Sequence, residues 1–331
     1  MTTKSSLNNQ QNLLKLKLNN SSKIKILGLN KPFYSIFMKI KQLLFLLPLI
    51  TSISGCSNET NIEIPYEPKP LDANVTYDNV YLIMGQSNAS GVAPHEHLKE
   101  KEADLYQKYS EGNTKVLMSY DVDERIQKDY VPTKWGFGNN EDLFGPEIGI
   151  AETLSQKEET SYIIKASYSG SCLLTQYVKD TGQKQKLYNR FIEFIKGQLR
   201  MLEKQGKTPR VRGLFWMQGE SDSHLYPRSD KYLKGERYFI NYLRSDLNDW
   251  IYDYFNFVDA YISTKGIWTH PEVINKCKEN LSKEDEHFYC IKTNGEDENA
   301  INLSLKDNDI AHYDAASMLL LGKTAGQYII K

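Results

Sequence analysis

Four short segments, spread along the chain, carry side chains that could perform chemistry together. The first is Gly85-Gln86-Ser87-Asn88, directly after an apolar run. A serine at a strand-to-helix turn can aim its hydroxyl out of a sheet edge and offer its own N–H to an oxyanion. The residue two beyond Ser87 is Ala89, so this is not the G-x-S-x-G elbow of α/β-hydrolases. The second segment is Ser169-Gly170-Ser171-Cys172-Leu173. A glycine there lets the backbone approach a ligand and present an N–H. The third, Trp216-Met217-Gln218-Gly219-Glu220-Ser221-Asp222, offers a side-chain amide at Gln218 and carboxylates at Glu220 and Asp222. The fourth is Asp309-Ile310-Ala311-His312. At a spacing of three, one turn of chain brings the carboxylate back to the imidazole, fixing its tautomer and supporting the imidazolium that forms when the ring takes a proton. Taken singly, each segment has a plainer reading, as a helix cap, a turn, a loop or a solvated histidine. Taken together they spell acyl transfer.

Such a set works only if the fold gathers it. Val80–Met84, Ser161–Ala166, Val211–Trp216 and Phe255–Ile262 are short, apolar and β-favouring. Between them lie helical patterns over Gly145–Leu154, over Leu187–Leu202 with Gly206 as a cap, and over Tyr232–Trp250, and a further helix is expected over Ala315–Ile330. Strands alternating with helices predict an α/β fold, a three-layer α/β/α sandwich around a mostly parallel sheet. In such folds ligands bind at the carboxyl ends of the strands, and three of the four segments leave strands there.

The combination of GQSN (85–88), FGPEIG (144–149), KASYSGSCL (165–173), FWMQGESD (215–222) and DNDIAH (307–312) resembles the SGNH hydrolases. Within them it is similar to the acetylesterase branch that holds sialate O-acetylesterase-like domains and acetylxylan esterases. The resemblance covers residues 77–331. It implies Ser87 as nucleophile, His312 as general base and Asp309 as the residue that orients His312. It implies an oxyanion hole made by the Ser87 N–H, the Gly170 N–H and the Gln218 amide, with Asn88, Glu220 and Asp222 in support. The family usually shows paired glycines in the second segment; Ser169 fills the first place here, so the backbone donor is either Gly170 or Ser169. The implied substrate is an O-acetylated glycan, sialic acid or an acetylated polysaccharide, with no cofactor and no metal. Two rivals are a glycan-binding lipoprotein without catalysis and an SGNH lipase or thioesterase for longer acyl chains.

The remainder of the chain bears on location. Residues 1–37 are rich in Asn, Lys and Ser and read as disorder or as an upstream extension of the gene. Residues 38–56 begin at Met38 and run through Lys39, Lys41 and a short apolar stretch to Ile53-Ser54-Gly55-Cys56, the layout of a secretory signal. The last four residues resemble a bacterial lipobox, which makes Cys56 a lipid anchor and the protein an exported, membrane-anchored envelope lipoprotein. Residues 57–76 read as a tether. A net charge of -1 gives no case for nucleic-acid binding. Cys277 and Cys290 fall in a polar, irregular stretch that a disulfide could staple, or they are free thiols. His95 and His97 read as solvated loop residues rather than a metal site.

Overall fold

The computed structural model describes residues 67–178, 186–224 and 226–331. The expected extension, signal and Cys56 anchor lie outside the described residues, as does the first part of the tether.

The described part opens with β1 (Asp78–Gly85) and the single turn α1 (Ser87–Ser90), followed by the short β2 (Ala93–Pro94) and α2 (Ala103–Glu111). A hairpin of β3 (Asn113–Val122) and β4 (Arg125–Thr133) precedes β5 (Leu143–Phe144), α3 (Glu147–Leu154), β6 (Ser161–Ser167) and α4 (Leu173–Gln176). Next come α5 (Lys186–Lys204), β7 (Pro209–Met217), α6 (Glu220–Ser223), α7 (Tyr226–Ser229) and α8 (Tyr232–Asp246). The last part holds β8 (Asn256–Ala260), α9 (Pro271–Glu284), β9 (Phe288–Ile291), β10 (Leu305–Lys306), β11 (Asp309–Tyr313) and α10 (Ala315–Ile329).

Seven strands form one sheet in the order β4-β3-β6-β1-β7-β8-β9, with helices flanking it as an α/β/α sandwich. Only the β3–β4 pair in that sheet is antiparallel. The central position of β1 follows from its sequence: Val80 to Met84 are all apolar and essentially inaccessible, as a strand covered on both faces requires. Tyr162 to Ala166 in β6 and Val211 to Met217 in β7 extend the same layer on either side, Lys165 and Arg212 excepted as charged members.

Three expectations need correction. The stretch around Cys277 and Cys290 is not irregular: Cys277 sits in α9 and Cys290 in β9, each held by ordinary backbone pairing, and both thiols are free. The tether is not free up to residue 76. Lys69 docks on the domain, its N–H donating to the Ile251 carbonyl at 3.2 Å and its carbonyl accepting from Asp253 N–H at 2.8 Å. Pro68 and Pro70 hold that segment extended, which leaves Lys69 to pair like an edge residue. Finally, His95 is half-buried and stacks on Trp135 at 5.6 Å rather than standing in solvent.

Candidate active site

At the end of β1 the chain must turn at once. The Gln86 N–H bonds to the Met217 carbonyl of β7 at 2.9 Å, so the two strands remain in contact to their last residues. Gly85 has φ +141, and a Cβ there would collide with that same carbonyl and with Ala89. The turn delivers Ser87 to the first position of α1. Its hydroxyl meets His312 Nε2 at 2.8 Å, across 225 residues of sequence. His312 Nδ1 lies 2.7 Å from Asp309 Oδ2. Serine, imidazole and carboxylate therefore stand in one hydrogen-bonded line.

The way Asp309 reaches His312 differs from the expected turn before a helix. Both residues belong to β11, paired with β10 in a small hairpin. Lys306 faces Asp309, and a regular ladder would next set Leu305 against Ile310. Leu305 faces Tyr313 instead, so Ile310, Ala311 and His312 bulge from the hairpin. The bulge bends the strand enough to close the contact. Burial pushes the Asp309 carboxyl up, but the His312 hydrogen bond and charge, followed by those of Lys306, hold it below the usual aspartate value.

The supporting residues tie the four segments together. Asn88 donates to Glu220 Oε1 at 2.9 Å and accepts from the Tyr313 N–H at 3.4 Å, so one amide joins the Ser87 turn to both α6 and β11. Burial raises the Glu220 carboxyl pKa against the Asn88 hydrogen bond. Asp222 accepts from the Leu173 N–H at 2.8 Å and from Gln218 at 2.7 Å, pinning the start of α4. Burial raises its pKa as well, against those same donors.

Gln218 does not stand where the resemblance implied. Its amide NH2 is fully buried and faces Asp222 Oδ2 at 2.7 Å, the Ser171 carbonyl at 3.0 Å and Gln86 Oε1 at 3.2 Å. Its carbonyl oxygen accepts from the Tyr232 hydroxyl at 3.0 Å, which fixes the orientation of the amide. With two hydrogens and three acceptors already around it, the group has no hydrogen left for a substrate oxygen. In the second segment, the Ser169 N–H donates to Asp123 Oδ1 at 2.6 Å and its hydroxyl to Asp123 Oδ2 at 2.8 Å. Gly170, the next residue of this turn, is exposed and at φ +68.

Two buried charged groups brace the site from behind, and the sequence did not single either out. Lys165 of β6 donates to the Ser90 carbonyl at 2.7 Å, the Phe137 carbonyl at 3.0 Å and Glu147 Oε2 at 2.7 Å. Glu147 in turn accepts from the Gly145 N–H at 2.8 Å. An ammonium thus sits at the carboxyl end of α1, where free carbonyls want a cation. Both residues lie within the FGPEIG and KASYSGSCL segments. On the other side, Lys278 of α9 donates to the Gln218 carbonyl, Asp259 Oδ1 and the Ala260 carbonyl, each at 2.7 Å. Lys278, Asp259 and Glu236 are all inaccessible. No N–H or O–H of another described side chain or backbone reaches Asp259 Oδ2 or either Glu236 oxygen. The two carboxyls interact directly, and burial followed by the charge of Asp259 pushes the Glu236 pKa well up. A proton held between the two carboxyls would pair Asp259 Oδ2 with one Glu236 oxygen.

Comparison with known proteins agrees with this architecture. The family described as carbohydrate esterase, sialic acid-specific acetylesterase, matches residues 77–331. Among solved structures, an Arabidopsis thaliana protein aligns over 77% of this chain and 98% of its own, with 15% identity and a TM-score of 0.56. NanS aligns over 77% and 97%, with 12% identity and a TM-score of 0.55. A carbohydrate acetylesterase from Xanthomonas citri aligns over 76% of this chain and 56% of its own, at 13% identity and 0.51. At these identities the likeness is one of fold. No curated protein matches the chain by sequence.

Proposed function

Because the chain belongs to the carbohydrate esterase family of sialic acid-specific acetylesterases, we propose that it removes O-acetyl groups from sugars through an acetyl-Ser87 intermediate. The observation that carries this reading is the line from Ser87 Oγ to His312 at 2.8 Å and on to Asp309 at 2.7 Å. His312 takes the Ser87 proton as the hydroxyl oxygen attacks the acetyl carbonyl carbon. The negative charge that develops on the carbonyl oxygen faces the N–H groups of Ser87 and Gly170. When the bond to the sugar oxygen breaks, His312 returns its proton to that oxygen and the alcohol leaves. Water, deprotonated by the same imidazole, then attacks the acetyl-enzyme; the bond from the acyl carbon to Ser87 Oγ breaks, His312 returns the proton to that oxygen, and acetate leaves. Asp309 holds the ring in the tautomer that presents a bare Nε2 to Ser87 and favours the imidazolium in each step.

Sialic acids and acetylated polysaccharides are the proposed substrates. The test is acetate release from a panel of O-acetylated sugars, with mass spectrometry of the quenched enzyme. The expected result is turnover together with an acetyl group on the Ser87 peptide. Turnover with acetyl on another residue, or no acetate from any sugar, overturns the reading. The sequence layout ending at Cys56 supports a second proposal, that the mature protein is a lipoprotein of the cell envelope. Cys56→Ala should then shift the protein from the membrane to the soluble fraction or leave the precursor uncleaved in a bacterial host. A fully processed protein in an unchanged membrane fraction would show that Cys56 is not the anchor.

A further inference from the structure

The sequence has four tryptophans. Trp135, Trp216 and Trp250 are buried, whereas Trp268 is partly exposed and lies outside the core. It belongs to the loop 263–270, which leaves the carboxyl end of β8, beside β7 at the functional edge of the sheet. Both arms of this loop are pinned to catalytic segments. At one arm Gly266, with φ +112, runs so close to the Ile310 carbonyl that a Cβ would collide with it. Ile310 is part of the bulge that carries His312. At the other arm, Thr269 Oγ1 lies 3.4 Å from His224 Nδ1, and the rings of Trp268 and His224 are 5.1 Å apart at 58°. His224 directly follows α6, the helix of Glu220 and Asp222.

Trp268 is therefore suspended between the two segments that flank Ser87. Its apolar neighbourhood is exposed as well: Ile267 is 50% accessible and Ile310 47%. Large apolar side chains scattered singly on a surface need no explanation, but an aromatic ring and two isoleucines gathered at the rim of a catalytic site form a binding wall. The chemistry of that wall is specific. A pyranose ring shows a face of C–H groups to an indole and leaves its hydroxyls at the edge, where the His224 ring and the Thr269 hydroxyl can hydrogen-bond. We infer that Trp268, backed by His224, is the sugar subsite: the surface on which the ring bearing the scissile acetyl group lies.

This inference rests on the proposed deacetylation, so the experiment separates the two. Wild type, Trp268→Ala and Trp268→Phe are assayed on acetylated methyl xyloside and on ethyl acetate, which carries the same acyl group and no sugar. Trp268→Ala should lose about tenfold in kcat/KM on the sugar ester, the equivalent of about 1.4 kcal/mol, mainly through KM. It should stay within about twofold of wild type on ethyl acetate, and Trp268→Phe should recover most of the sugar activity. Equal losses on both esters, or no loss on the sugar ester, would overturn the subsite. Should wild type release no acetate at all, deacetylation fails, and the subsite is judged by calorimetric binding of the acetylated xyloside to Ser87→Ala. There Trp268→Ala must weaken binding about tenfold, and equal affinity with and without the indole refutes it.

Discussion

Lys278→Met tests whether the site is braced from behind. The substitution keeps the side-chain length and deletes the ammonium that meets Gln218, Asp259 and Ala260 at 2.7 Å each. Removing one partner of a buried ion pair costs about 3–5 kcal/mol. Each carbonyl left without a donor adds about 1–3 kcal/mol where nothing replaces the bond. In a domain of this size 1 kcal/mol moves Tm by about 2–4 °C, so the ion pair alone corresponds to a fall of about 6–20 °C. That is a large share of a typical stability of about 5–15 kcal/mol. The Gln218 backbone carbonyl would keep the Tyr232 hydroxyl at 3.2 Å but lose its shorter bond to Lys278, so kcat should fall even at temperatures where the variant is folded. The control is Glu236→Gln. If a proton is shared between Glu236 and Asp259, the amide can donate in its place, and the variant should keep Tm within about 2 °C, the equivalent of less than 1 kcal/mol. The pH dependence gives a second reading. Because the Glu236 pKa is raised in the fold, its contribution is whole below the ordinary glutamate value and is lost as pH rises through the raised one. Glu236→Gln should remove that part of the alkaline loss of stability. Thermal unfolding followed by circular dichroism across pH, with ester hydrolysis alongside, measures all of this. A Glu236→Gln variant as unstable as Lys278→Met would refute the shared proton, and a Lys278→Met variant with wild-type Tm and kcat would refute the brace.

Three further outcomes are expected. Ser87→Ala and His312→Ala should each abolish acetyl-ester hydrolysis with Tm little changed, and the double variant should be scarcely worse than either, since the pair acts as a unit; additive losses would count against it. Asp309→Asn should cost about 10⁴-fold in kcat, as in comparable triads, while Glu220→Gln, whose contact is Asn88 rather than His312, should cost far less; the reverse order in steady-state kinetics would reassign the acid. Gln218→Ala should lower stability by about 1–3 kcal/mol as well as activity, because it strips donors from Asp222 and Ser171; a loss of activity with unchanged Tm would restore Gln218 as an oxyanion donor.

Much of this site could be read from residue order. Ser87, His312 and Asp309 sit in short segments whose residue types leave few alternatives once seen together, and the strands that carry two of the segments are apolar runs with no competing period. What escaped reading depends on contacts across the sheet. The β3–β4 hairpin alternates only weakly, since β3 is buried along most of its length and β4 is an edge. The α9 helix holds six charged residues in fourteen, which hides a stripe of Ile274, Cys277, Lys278 and Leu281 beneath polarity. Lys278 itself looks like any surface lysine until Asp259 and the Gln218 carbonyl are placed around it. Gln218 is hard to read for a related reason: an amide beside Ser87 suits either a donor or a strut, and only its neighbours decide which.

The distance in sequence between Ser87 and His312 has a consequence for how the protein comes to life. Ser87 lies at the first strand of the sheet and His312 on a hairpin 225 residues later, so their contact closes one of the longest loops the domain contains. Such contacts are entropically costly and tend to form late in folding. In refolding, helical signal should return before esterase activity does. Until the hairpin docks, Ser87 is an ordinary alcohol with no base beside it. A half-folded chain is thereby kept chemically inert, and the power to cleave esters arrives only with the finished sheet.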